Sequence, residues 1–103
     1  MQSVYLKFYF TEKQKHNGVP LHDWLLGEAK KLGVPGGSVF RSSAGYGRHG
    51  EVHEETFFEL GGELPVQAEF ILEAQLADQL LEKLRGYQLD IRYVRYPVEA
   101  GVV

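Results

Sequence analysis

The chain has 103 residues, 44% of them hydrophobic and 24% charged, with a net charge of −3 and no cysteine. That length suits one domain and not two, and the lack of cysteine excludes a disulfide framework, a thiolate zinc site and a cysteine nucleophile. The negative balance argues against nucleic acid as a partner; with no apolar run near the roughly 20 residues of a membrane helix, the expected location is cytoplasmic.

Val4, Leu6, Phe8 and Phe10 alternate with Ser3, Tyr5, Lys7, Tyr9 and Thr11. This period of two predicts a strand and not a signal peptide. One face is wholly apolar. The other carries Tyr5 and Tyr9 around Lys7, so both faces are expected to be covered. A polar connector from Glu12 to Gly18 ends in the turn pair Asn17-Gly18. Pro20 suits the first turn of a helix, and Leu21, Trp24, Leu25, Ala29 and Leu32 recur at helical spacing. Gly33 stops that helix, with Lys30 and Lys31 complementing its negative end. Gly27 inside it costs about 1 kcal/mol against alanine, a cost that close packing would justify.

Pro35-Gly36-Gly37 is a break, and a second strand is predicted from Val39 to Ala44. Gly45 to Leu64 shows no periodicity. Pro65 opens a third strand, where Val66, Ala68, Phe70 and Leu72 alternate with Gln67, Glu69 and Ile71. Leu76, Ala77, Leu80, Leu81 and Leu84 form a second helical stripe, ended by Gly86 with Lys83 and Arg85 in its last turn. Asp90 to Tyr96 is a fourth strand, halted by Pro97, and Val98 to Val103 gives no signal. The order β-α-β-β-α-β, with right-handed crossovers, predicts an α+β ferredoxin-like sandwich over residues 1–103. It is a four-stranded antiparallel sheet with two helices on one face. No element is left to cover the other face, so self-association is expected.

Residues 45–64 make a long loop, and loops of that length in a compact domain are usually functional or mobile. Gly45, Gly47 and Gly50 surround Tyr46, Arg48 and His49. Such glycines let backbone N–H groups converge on an anion, and Arg48 would add a charge-assisted contact; they serve loop flexibility equally well. The spacing is not that of a Walker loop. His49 and His53, four apart beside Glu51, Glu54 and Glu55, would share a face of a helix and could hold a divalent metal, whereas on an irregular loop they are simply solvated. Glu51, Glu54, Glu55, Glu59 and Glu63 repel one another and favour an extended path that proteases would cut first. The adjacent Phe57 and Phe58 are expected against the core or a partner. Arg92 and Arg95 on the last strand, with Arg41 on the second, either pair with Glu69, Glu73 or Glu99 or form a basic edge for phosphate. Ser42 and Ser43 have no nucleophile elbow around them, and no enzyme activity is expected.

Glu12-Lys13-Gln14-Lys15-His16-Asn17-Gly18-Val19-Pro20-Leu21 resembles the E-K-x-x-H-x-G-x-P-L opening of a PII-like family catalogued as domain of unknown function 190. Gly45-Tyr46-Gly47, with His49, His53 and Phe57-Phe58, resembles its second signature, and Leu64-Pro65-Val66 opens the third strand as in that family. The resemblance implies a homotrimer whose open sheet faces line the interior. It implies that residues 45–64 match the T-loop of PII signalling proteins, which reaches a target such as a membrane transporter or channel. A small anionic effector, an adenine nucleotide foremost, would bind in clefts between subunits. By position those clefts would use Gly45, Tyr46 and Gly47, then Arg85 and Gly86, then Arg92 and Arg95 of the neighbouring copy. Leu84-Arg85-Gly86-Tyr87 stands where PII proteins carry a Gly-Lys-Gly-type phosphate loop, and the loop lacks the glutamine tied to 2-oxoglutarate. The expectation is a trimeric, non-enzymatic regulator. The alternative is a metal-binding protein of the divalent-cation-tolerance type using His49, His53 and nearby glutamates.

Overall fold

The computed structural model describes residues 2–46 and 64–103, together with the backbone of 53–54. In chain order the elements are β1 (Ser3–Thr11), β2 (Lys15–His16), β3 (Val19–Pro20), α1 (Leu21–Lys31), β4 (Gly37–Arg41), β5 (Ala44–Gly45), β6 (His53–Glu54), β7 (Pro65–Glu73), α2 (Ala74–Arg85) and β8 (Arg92–Val98). Four of them form one sheet in the order β4-β7-β1-β8, antiparallel throughout. This is the ferredoxin-like α+β arrangement that the alternation predicts.

The core is a single layer between this sheet and the two helices. Val4, Leu6, Phe8 and Phe10 of β1 and Val66, Ala68, Phe70 and Leu72 of β7 point into it. They meet Leu21, Leu25 and Ala29 of α1 and Ala77, Leu80, Leu81 and Leu84 of α2. Burial of this kind removes apolar area from water at roughly 25 cal/mol per Å² and is the main force holding the helices down. A charged side chain joins the apolar set: Glu28 is only 6% exposed, between Lys83 of α2 and Lys31, each 3.3 Å from its Oε2. Burial drives the Glu28 carboxyl upward, but the hydrogen bonds from Lys83 and Lys31 outweigh it and hold the group below its ordinary range.

Local chemistry sets the element ends. Asn17 and Gly18 both have positive φ, 52° and 81°, which is the geometry of a two-residue hairpin turn between β2 and β3. The first helical N–H, that of Leu21, donates to the Gln14 carbonyl at 2.8 Å, so the connector itself caps α1. Gly33, at φ 91°, closes α1: its N–H bonds the Lys30 carbonyl while that of Val34 bonds Ala29, the paired bonds of a Schellman end.

Several boundaries differ from the sequence expectation, among them the start of the last strand, at Arg92 and not Asp90. The second strand begins at Gly37, inside the supposed break, paired with Phe70, whose ring fills the space where a Cβ would stand and so requires glycine. It ends at Arg41, and Ala44–Gly45 instead pairs with His53–Glu54 in a separate small ribbon. The last strand runs through Pro97 to Val98; on an edge strand a proline's missing N–H can face away from the ladder. Gly86 follows α2 but keeps a helical φ of −65°, and the chain turns over at Gln88 and Asp90, with φ of 53° and 54°. Gly27 has nothing within 4 Å of a Cβ built on it, so close packing does not explain it.

Candidate subunit face and effector corners

Among the described residues, no element covers the side of the sheet away from the helices. Strand register lays it out in rows: Ile71, Tyr5 and Tyr96 in one, Glu69, Lys7 and Val94 in the next, then Phe40, Gln67, Tyr9 and Arg92. Phe40 is 53% exposed, Ile71 49%, Tyr96 47%, Val94 39% and Tyr9 36%. Tyr5 and Tyr96 stack with centroids 5.0 Å apart. Within this apolar field Lys7 Nζ lies 3.7 Å from Glu69 and over the rings of Tyr5 and Tyr9, at 5.4 and 5.9 Å. Burial and the neighbouring Glu69 carboxylate raise the Tyr5 phenol above its ordinary value. Desolvation pushes Lys7 down, but Tyr5, Tyr9 and Glu69 more than offset it, and its ammonium is held more firmly than in water. Contiguous exposed apolar patches of this kind are uncommon on monomeric proteins.

The candidate effector residues fall at one end of the sheet, in two corners. Gly45 and Tyr46 lie just past the end of β4, where the Ser42 N–H bonds the Pro65 carbonyl at 2.9 Å. Tyr46 is 71% exposed. Arg85 and Gly86 at the end of α2, with Arg92 at the start of β8, lie at the other corner. Two strands, β7 and β1, separate the edges, which at the usual strand spacing puts them about 14 Å apart.

The arginines divide. Arg92 shares a row with Tyr9 on the open face and has no ion pair among the described residues. Arg95, three residues on, projects from the opposite face, where it binds Asp78 at 2.6 Å and the Ala74 carbonyl at 3.3 Å. Arg41 pairs with Glu12 at 3.1 Å and Arg85 with Glu82 at 3.1 Å. The acidic partners differ from Glu69, Glu73 and Glu99, because helix and connector carboxylates reach these arginines first. Gly47, Arg48, His49, Phe57 and Phe58 lie outside the described residues, as do Glu51, Glu55, Glu59 and Glu63 and with them the extended path expected of the loop. The backbone of His53 stands opposite Gly45. Among the described residues no group of three His, Cys, Asp or Glu side chains could hold a metal, and no helix is long and apolar enough to cross a membrane.

Sequence reasoning does not find one cluster. His16, Trp24 and Tyr87 meet with ring centroids 4.3 to 5.1 Å apart. Its members come from the connector, α1 and the segment after α2, so no local pattern announces it.

Comparison with known proteins gives consistent results. A family profile for DUF190, described as "Uncharacterized ACR", matches residues 3–99. A UPF0166 protein of Aquifex aeolicus is 36% identical over 81 residues, covering 79% of this chain and 77% of its own. Among solved structures, CPII of Thiomonas intermedia K12, a nitrogen regulatory PII-like protein, superposes with a TM-score of 0.70 at 15% identity, over 99% of this chain and 91% of that one. A putative PII-like signalling protein from Thermus thermophilus gives 0.56 at 20% identity, over 93% and 85%. At these identities the structures speak for the fold.

Proposed function

The chain belongs to the DUF190 family of PII-like proteins, and from that premise we propose that it is a non-enzymatic regulator that assembles as a homotrimer and binds an anionic effector between subunits. The observation that carries this reading is the uncovered sheet face, with Phe40, Ile71, Val94 and Tyr96 each more than a third exposed. Packing that face against other copies would bury it and would close the Lys7–Glu69 pair away from water. A buried pair of this kind favours one register of assembly over others.

Assembly also supplies the effector site. In one copy Gly45 and Arg92 stand at opposite edges of the sheet; where the β4 edge of one copy meets the β8 edge of the next, the two corners come side by side. Backbone N–H groups near Gly45 would take up an anion from one copy, and Arg85 and Arg92 would complete the charge from the other. CPII structures bound to ADP and bicarbonate, and to ADP, AMP and bicarbonate, support an adenine nucleotide as the effector class. An effector with different affinity for two arrangements of residues 45–64 would shift the balance between them, and that segment would carry the signal to a partner, a membrane transporter or channel among the candidates.

Calorimetry with ATP, ADP, AMP and cyclic AMP, beside copper, zinc and nickel, tests this. Binding of a nucleotide is expected, weakened roughly tenfold or more by Arg92→Ala or Arg85→Ala as a charge-assisted contact is lost. Arg95→Ala, already engaged by Asp78, should leave affinity nearly unchanged. Metal binding without nucleotide binding would overturn the proposal in favour of a metal-handling protein.

A further inference from the structure

We propose that the connector between β1 and α1 is a brace joining the two effector corners of one subunit, with His16 and Glu12 as its positioning residues; this rests on reading Arg85 and Gly86 as part of the effector cleft. At its start the connector is tied to the β4 corner. Glu12 pairs with Arg41 through its carboxylate at 3.1 Å, and its N–H bonds the Leu64 carbonyl at 2.9 Å. Arg41 ends β4, three residues before Ala44–Gly45, and Leu64 enters β7 from residues 45–64. At its far end the connector is tied to the β8 corner. His16 packs on Trp24 at 4.3 Å and meets Tyr87 edge-on at 5.1 Å, and Tyr87 meets Trp24 at 4.9 Å. Between the ties the connector is itself fixed. The Gln14 side chain accepts from the Thr11 N–H at 2.8 Å and its carbonyl accepts from Leu21.

The segment after α2 needs such an anchor. Gln88 and Asp90 both hold left-handed φ; aspartate tolerates it, whereas at Gln88 it is sparsely populated and persists when surrounding structure holds it. Leu89 and Ile91 pack on the core, and beside them an open cleft of about 200 Å³, lined also by Leu81, Leu84 and Arg85, leaves part of the segment without cover. The Tyr87 ring, two residues from Arg85, is one tie on the outer side. Holding it sets the Gly86 peptide, since the Tyr87 N–H also closes on the Leu84 carbonyl at 3.0 Å. An aromatic pair of this kind contributes beyond the area it buries.

Amide hydrogen exchange on His16→Ala, with His16→Phe as the conservative variant and the Trp24 emission followed in parallel, tests the brace. Trp24 is the chain's single tryptophan and reports the cluster directly. In His16→Ala, exchange at residues 86–91 should quicken about tenfold while β1 and β7 amides stay protected, because local opening and global stability are separate quantities. Nucleotide affinity should fall several-fold, and His16→Phe should restore both. Unchanged exchange at 86–91, or uniform loosening of the whole sheet, would overturn the proposal. If the unaltered protein binds no nucleotide, the functional reading fails on that result, while the exchange pattern still decides the brace.

Discussion

The two faces of one sheet are built from the same four strands and finished differently. The helix-side residues of β1 and β7 are buried by α1 and α2, with Leu6 and Ala68 wholly sealed. Tyr9, Phe40, Ile71, Val94 and Tyr96 across the sheet stay open to water. A chain that needed only to fold would place polar residues there, as half-exposed antiparallel sheets do. On the proposed reading, folding and assembly draw on opposite sides of the same strands, so each side could be damaged separately.

The largest effect should come from the closed face. Leu6→Ala removes a fully buried side chain and should cost about 2–5 kcal/mol in chemical denaturation at fixed protein concentration. On the open face, Tyr5→Glu with Tyr9→Glu should leave the secondary structure in place and break the oligomer, read as a fall in mass; an unchanged assembly would mean that this face is not the one buried.

The Glu28 bridge sharpens the closed face further. Its carboxyl titrates below its unfolded value, so its contribution is fully present above the ordinary carboxylate pKa of about 4.3. It is lost as pH falls through the lower folded value. Glu28→Gln should therefore cost about 1 kcal/mol near neutrality, since both lysine partners can return to water. The cost should shrink towards zero in acid, measured as denaturation midpoints against pH. The smallest effect is a gain: Gly27→Ala, with open space at its Cβ, should stabilise by up to about 1 kcal/mol.

The division between faces is legible in the sequence wherever a period is unbroken. Alternation at Val4–Phe10 and Val66–Leu72 is enough to assign both strands and their inward faces, and helical spacing assigns Leu21–Leu32 and Leu76–Leu84. Long-range geometry is what escapes. Gly37 is in a strand through its pairing with Phe70, distant in sequence, whose ring occupies its side-chain space. Glu28 has the composition of a surface residue and becomes interior through Lys83 on another helix. Arg92 and Arg95 are a different case: three apart on one strand, they fall on opposite faces by its period of two, a pattern present in the sequence itself. Of the proposed effector corners, the sequence names Gly45, Arg85 and Arg92, which share one end of the sheet, while the His16–Trp24–Tyr87 contact depends on how the connector folds back over the helices.

The central claim is that further copies of this chain cover the open face. Light scattering on the purified protein at micromolar concentration tests it most directly. A homotrimer should give a mass near three times the 11.7 kDa chain, and a strict monomer would rule this out.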